Sequence, residues 1–188
     1  MRRLVVFNHV SLDGYFTDAN GDMSFAQNPA QDARWDEFVE SNASGDGELL
    51  FGRVTYDMMA SFWPTPIAAE HMPHMAERMN RYPKIVFSRT LEQVDWNNTR
   101  LVKDNLVESV RRLKTEPGPD LLIFGSGTIV SQLAQADLID EYQVVLNPVI
   151  LGAGRTMFTG LPGNQPLKLK QARAFDNGNV WLCYERAG

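Results

Sequence analysis

The sequence predicts an α/β domain, with a mostly parallel sheet, helices on both faces and a C-terminal antiparallel hairpin. Three observations predict it. Short apolar runs of strand length alternate with segments of helical period. Several of those runs stop at Gly or Ser-Arg and give way at once to a new segment. The tail alternates apolar and polar residues on either side of Asp176-Asn177-Gly178, a strong hairpin turn.

Taken in order, Leu4–Asn8 reads as a short buried strand, and residues 10–30 as a long loop rich in Asp, Gly and Asn. Ala33, Trp35, Phe38, Val39 and Asn42 share one helical face, so a helix is expected over about 31–43. Glu48–Phe51 is a strand ended by Gly52. Val54–Phe62 is a helix closed by Trp63-Pro64 and Pro66. Ala68–Asn80 reads as a second helical stretch, followed by strands at Lys84–Phe87 and Thr99–Val102. Leu106, Val110 and Leu113 predict a helix over about 105–114. Leu121–Phe124 is a strand, Thr128–Ala136 a helix and Glu141–Leu146 a strand. Residues 167–175 and 179–185 form the hairpin.

The 188 residues suit one domain spanning 1–188, and 44% hydrophobic content is enough for a full core. The net charge of -5 argues against a nucleic-acid surface, so an anionic ligand must be held by local positive features. The single cysteine, Cys183, excludes an internal disulfide and a cysteine-based zinc site. His71 and His74 lack an evident third ligand and Pro73 interrupts their turn, so no metal is expected. No run approaches the roughly 20 apolar residues of a membrane helix. The expectation is a soluble, cytoplasmic protein.

Ligands of such sheets collect beyond the carboxyl ends of the strands. At Gly125-Ser126-Gly127-Thr128 a strand turns into a helix, whose first amides are unpaired and carry partial positive charge. The two glycines either admit a pyrophosphate to that backbone or serve tight strand–helix packing. Gly52-Arg53 repeats the strand-to-helix change with an arginine that opposes the helix dipole, which an anion would explain, and Thr55 adds a hydroxyl. Ser88-Arg89-Thr90 closes a third strand with donors suited to a phosphate monoester. Together these ends fit a dinucleotide with an extra ribose phosphate, NADPH over NADH.

The stretches VSLDGYF (10–16), LLFGRVTYDMM (49–59), KIVFSRT (84–90), LLIFGSGTIVSQLAQADLIDEY (121–142) and VVLNPVILGAGRTMF (144–158) carry a resemblance. The chain resembles the dihydrofolate-reductase-like superfamily, on the branch of the reductase domain of the bifunctional riboflavin-biosynthesis deaminase-reductase. The resemblance implies a three-layer dihydrofolate-reductase-like fold, NADPH as cofactor and a homodimer. It places Gly52, Arg53 and Thr55 along the adenosine side, Ser88 and Arg89 near the 2′-phosphate, and Gly125 to Thr128 under the pyrophosphate. It also sets Ser11 and Asp13 at the border of the active site. Asp13 is expected nearest the reacting carbon, where it orients a substrate hydroxyl or supplies a proton; a plain turn is the alternative.

On the substrate side, Asp36 is the candidate carboxylate of a dihydrofolate-type site, with a plain solvated helix position as the alternative; Asp32 lies nearer the apolar stripe but at the frayed end, and Glu37 points away. Trp63 walls the pocket or staples the core. Asn147 and Arg155 follow a strand, where the resemblance puts the substrate, and Arg155 suits an anionic substrate or a plain surface position. The expected activity is hydride transfer from NADPH to a C=N or C=O carbon of a small heterocycle. The reaction it most resembles is reduction of 5-amino-6-(5-phosphoribosylamino)uracil in riboflavin biosynthesis. The alternatives are a dihydrofolate reductase-type pteridine reductase and an NADP-binding module without turnover.

Overall fold

The computed structural model of the chain describes residues 1–27, 30–42 and 45–187. Ten strands and six α-helices are described. The first half comprises β1 (Leu4–Val10), β2 (Tyr15–Asp18), α1 (Ala33–Asn42), β3 (Glu48–Gly52), α2 (Arg53–Phe62), α3 (Pro66–His71) and α4 (Pro73–Arg81). After these come β4 (Lys84–Phe87), β5 (Thr99–Val102), α5 (Leu106–Thr115), β6 (Leu121–Phe124) and α6 (Gly127–Gln135). The chain closes with β7 (Glu141–Leu146), β8 (Gly154–Thr156), β9 (Leu167–Ala174) and β10 (Val180–Arg186). No described helix is long and apolar enough to cross a membrane.

The main sheet has the order β5-β4-β3-β6-β1-β7-β10-β9. Its first six strands run parallel, and β10 pairs antiparallel with both β7 and β9. The parallel strands are short and apolar because both faces are covered. On one face, α5 and α6 bury Val110, Leu113, Ile129, Val130 and Leu133 against Leu4, Val6, Leu121 and Ile123. On the other, the core is split into two clusters. Tyr56 and Met79, from α2 and α4, lie on Leu49, Phe51 and Val86. Phe38 of α1 lies on Val145, Phe175, Trp181 and Cys183. The central strands β6 and β1 run between these two clusters.

Two expectations are corrected. Residues 10–30 are not all loop: Tyr15–Asp18 pairs antiparallel with Gly154–Thr156 to make a separate two-stranded sheet, and Ser24–Ala26 forms one 3-10 turn. Ala68–Asn80 is two helices, not one. Thr65 caps α3 by accepting the Ala68 amide, and the chain breaks at Met72 before Pro73 starts α4. His71 and His74 thus stand on different helices. The helix expected to 43 is described to Asn42, position 43 being outside the described residues.

Candidate active site

A groove of about 1050 Å³ runs along the carboxyl ends of β3, β4 and β6. Dinucleotide-sized ligands need space of this order, since ligand pockets run to about 300–1,000 Å³. Three helix N-termini meet in it, those of α2, α5 and α6. Its lining includes Arg53, Arg89 and Arg155 against one acidic residue, Asp104. A chain of net charge -5 thus keeps a locally positive channel. The lone pairs of an anion would meet both the helix dipoles and the guanidinium groups.

The floor is the turn after β6. Gly125 adopts φ +67, and Ser126, a residue with a Cβ, adopts φ 56, ψ 61. Such a left-handed serine is strained and persists only when its neighbours hold it. Here they do. Ser126 Oγ accepts the Gly52 amide at 2.9 Å and donates to Thr55 Oγ1 at 2.8 Å. Thr55 Oγ1 also accepts the Ser126 amide at 3.1 Å. From the other side, Asn8 Oδ1 accepts the Gly125 amide at 2.6 Å while Asn8 Nδ2 donates to the Gly125 carbonyl at 3.3 Å.

The consequence falls on α6. Serine at a helix start ordinarily caps the first-turn amides. Ser126 makes no such cap, because its hydroxyl is turned to α2. The amides of Gly127, Thr128 and Ile129 therefore find no acceptor among the described residues. Other helix starts do carry such a cap: Asp32 accepts the Arg34 and Trp35 amides of α1 at 2.9 and 3.1 Å, Thr65 caps α3, and within the groove Asn105 caps α5 by accepting the Glu108 amide at 3.2 Å.

The glycines themselves serve close approach. A Cβ at Gly127 would sit 2.7 Å from ring carbons of Phe16, which β2 lays against it. One at Gly125 would meet Thr55 Cγ2 at 3.2 Å, besides straining a positive φ. Of the two explanations for the glycines, tight packing is the one the contacts support. The free amides beside them are a separate feature.

The structure brings Gly52, Arg53, Thr55, Ser88, Arg89, Gly125, Ser126, Gly127, Thr128 and Arg155 to the lining of one groove. Their roles there differ. Thr55 is buried and its hydroxyl serves Ser126. Arg53 forms a 3.2 Å ion pair with Asp57, one turn along α2. Ser88 Oγ accepts the Thr90 and Leu91 amides. The guanidinium groups of Arg89 and Arg155 have no partner among the described residues.

Ser11, Asp13, Asp36, Trp63 and Asn147 are not part of that lining. Asp13 accepts the Leu151 and Gly152 amides at 3.1 and 2.7 Å, while buried Ser11 accepts the Tyr15 amide. Hydrogen bonding by Ser11, with the two amides, holds the Asp13 carboxyl below its ordinary value. It latches two loops together outside the groove lining, contacts that fit the structural alternative given for Asp13. Asp36 is exposed, which corrects its placement as a buried pteridine-binding acid. Asp32 is the buried one. Burial raises its pKa, but amides from Trp35, Asn177 and Arg34 outweigh this and hold it low, so its lone pairs are taken. Trp63 ends α2, at the opposite end from the groove, with Nε1 donating to Met59 Sδ at 3.1 Å. Asn147 is buried, and its Nδ2 donates to the Val10 and Val145 carbonyls at 3.1 Å each.

Sequence reasoning missed Asn8 and Phe16, which shape the cradle. Asn8-His9 inside LVVFNHV was the available signal, since two polar residues within an apolar strand need partners. Phe16 closes the VSLDGYF stretch, and its place against the cradle depends on β2 folding back.

The fold and groove define a dihydrofolate-reductase-like α/β protein. The same fold is seen in dihydrofolate reductase from Enterococcus faecalis, solved with NADP(H) and RAB-propyl (TM-score 0.63, 13% identity, 99% of this chain and 97% of that one). The profile of the RibD C-terminal domain matches residues 2–181, and the chain belongs to that family. A solved Shewanella sp. PV-4 protein, provisionally ascribed to riboflavin biosynthesis, is similar at TM-score 0.77 and 26% identity over 99% of both chains. The uncharacterized Bacillus subtilis (strain 168) protein YyaP is 27% identical, covering 100% of this chain and 96% of its own length. YwjB of the same organism is 25% identical over 99% of each.

Proposed function

We propose that the protein is an NADPH-dependent reductase that delivers hydride to a C=N or C=O carbon of a small heterocycle. The named reaction it most resembles is that of 5-amino-6-(5-phosphoribosylamino)uracil reductase. The observation that carries the reading is the uncapped start of α6 on the floor of an arginine-flanked groove. The residues fit the cofactor by their chemistry. Backbone amides of Gly127, Thr128 and Ile129 suit a diphosphate, and Arg89 offers a planar fork for a ribose phosphate. When bound, the cofactor supplies the hydride. The protein's own part is to orient and to exclude water. Asn8, Ser126 and Thr55 keep the turn rigid, and the β2–β8 sheet walls the groove with Phe16 and Arg155.

A dihydrofolate reductase-type chemistry is less well supported, because Asp36 is exposed and Asp32 is engaged as a helix cap. A fluorescence titration of the protein with NADPH and NADH tests the reading. NADPH should bind tighter by roughly tenfold to a hundredfold, the worth of one or two charge-assisted hydrogen bonds. Equal affinities would overturn the phosphate assignment. NADPH consumption with pyrimidine or pteridine substrates separates a reductase from a binding module.

A further inference from the structure

The last strands of the main sheet are covered on one side only. Toward α1, β7 and β10 bury Val145, Trp181 and Cys183. Directly opposed residues of neighbouring strands share a face. On the other face the register therefore sets Val180 between Leu146 and Ala174, and Leu182 between Val144 and Ala172. The core under α5 and α6 reaches Val144, Leu146 and Tyr184. Val180 and Leu182 join none of the three core clusters and are half-buried, while Ala172 and Ala174 are exposed.

The edge strand β9 keeps its charges off that face. Arg173 lies over the Phe175 and Phe38 rings at 5.0 and 5.9 Å, Lys168 pairs with Glu185 at 3.6 Å and Lys170 with Glu141 at 2.8 Å. A bulge decides what the bare face receives. Between Cys183 and Tyr184 the register jumps from Gln171 to Leu169, so Lys170 is the extra residue. A strict period of two would have set Lys170 and Lys168 beside Ala172. With the bulge, Leu169 and Leu167 take that side, 50% and 40% exposed. The outcome is an apolar strip along β9 and β10. Its one charged residue, Arg186 opposite Leu167 at the strand end, is paired with Asp137 at 2.5 Å.

We propose that this strip is the contact surface for a second copy of the chain, the two sheets stacking face to face about a two-fold axis. The inference does not depend on the reductase reading. At a two-fold axis a patch meets itself, so a charge near the axis would meet its like. An apolar strip whose only charge is already paired avoids that cost. The edge of β9 does not, because joining two copies edge to edge would bring their Lys168 and Lys170 together. Size also fits. Three strands about 4.8 Å apart and about 23 Å long give a face of roughly 14 by 23 Å. Phe158, 41% exposed, meets Tyr142 edge-on at 5.9 Å on the same side and widens it. Two such faces stacked about 10 Å apart approach the lower end of specific interfaces, roughly 1,200 Å² in total. The apolar character is that of homodimer contacts, which resemble a core cut in half.

Sedimentation of the full-length protein from about 1 to 100 µM tests it, with folding followed by circular dichroism. The wild type should sediment at twice the chain mass at the upper end. Leu169→Lys, at a half-exposed position, should keep the fold and weaken the dimer by roughly tenfold or more. Ala172→Glu, also exposed, should do the same and serves if the first variant does not fold. Lys168→Ser should leave the dissociation constant unchanged. In the wild type, the methyl resonances of Leu169 and Leu182 should move with concentration along the sedimentation isotherm. A wild type that stays monomeric at about 100 µM would overturn the inference and leave the strip to a different occupant. So would a dimer that survives both charge substitutions, or one in which those methyl signals stay fixed, since the contact would then lie elsewhere. A tighter dimer in Lys168→Ser would assign the contact to the strand edge and overturn it too.

Discussion

The two ends of the parallel strands are built on opposite electrostatic plans. At the amino ends charges are closed on one another. Buried Glu48 takes Arg2 at 2.7 Å and Arg100 at 3.3 Å, and buried Glu141 takes Arg3 at 2.6 Å and Lys170 at 2.8 Å. Lys114 meets Asp140 at 2.5 Å, and Arg186 meets Asp137 at 2.5 Å. At the carboxyl ends the groove holds the guanidinium groups of Arg89 and Arg155, without a partner among the described residues, and the uncapped amides of α6. A serine that would normally cap is used to keep the backbone open. The difference teaches where polar groups stay uncommitted: one end closes its charges on one another, while the other leaves two guanidinium groups and the first amides of α6 without an acceptor among the described residues.

The contrast can be broken most forcefully at the closed end. Glu48→Ala strands Arg2, which is 6% exposed, so unfolding free energy should fall by about 3–5 kcal/mol. Denaturant melts would show it, and cofactor affinity in the surviving folded protein should not change. A similar loss is reachable by acid. Burial raises the Glu141 carboxyl, but Lys170, Gln143 and Arg3 outweigh this and bring it from 4.5 to about 2. A carboxylate depressed on folding stabilises above its unfolded pKa and loses that contribution as pH falls toward the folded one. Stability should therefore drop on the order of 2–3 kcal/mol between pH 4.5 and about 2, and Glu141→Gln should flatten that limb.

At the open end the expected effects are on binding. Arg89→Ala should weaken NADPH by roughly tenfold to a hundredfold, leave NADH unchanged and leave the melting temperature in place. A matching loss for both cofactors would mean that Arg89 does not read a phosphate. Asp13→Ala should give the smallest effect. Amide exchange at Leu151 and Gly152 should quicken as the latch opens, with NADPH affinity unaltered.

The sheet, its helices and the groove-lining strand ends were legible because each rests on local signals. Apolar runs such as Leu121–Phe124 mark strands, and Gly125-Ser126-Gly127 marks the change to a helix. The β2–β8 sheet was not, since four and three residues carry no usable periodicity and pair across more than 130 positions. The alternatives for the carboxylates stayed open for a related reason. Composition shows that Asp13 and Asp36 are acidic, but only tertiary contacts show that one is tied to Leu151 and Gly152 and the other faces solvent. The break between α3 and α4 was visible in Pro73, which interrupts a helical turn whether or not a metal is in question. Asn8 and His9 carried a signal of a different kind, polarity inside an apolar strand. Its meaning needed both faces of the sheet.

The most direct measurement is a crystal structure with NADP⁺ bound. The diphosphate should lie within hydrogen-bond distance, about 3 Å, of the Thr128 and Ile129 amides, with the 2′-phosphate at Arg89. A cofactor lodged elsewhere, or a diphosphate held only by side chains while those amides stay vacant, would contradict the account.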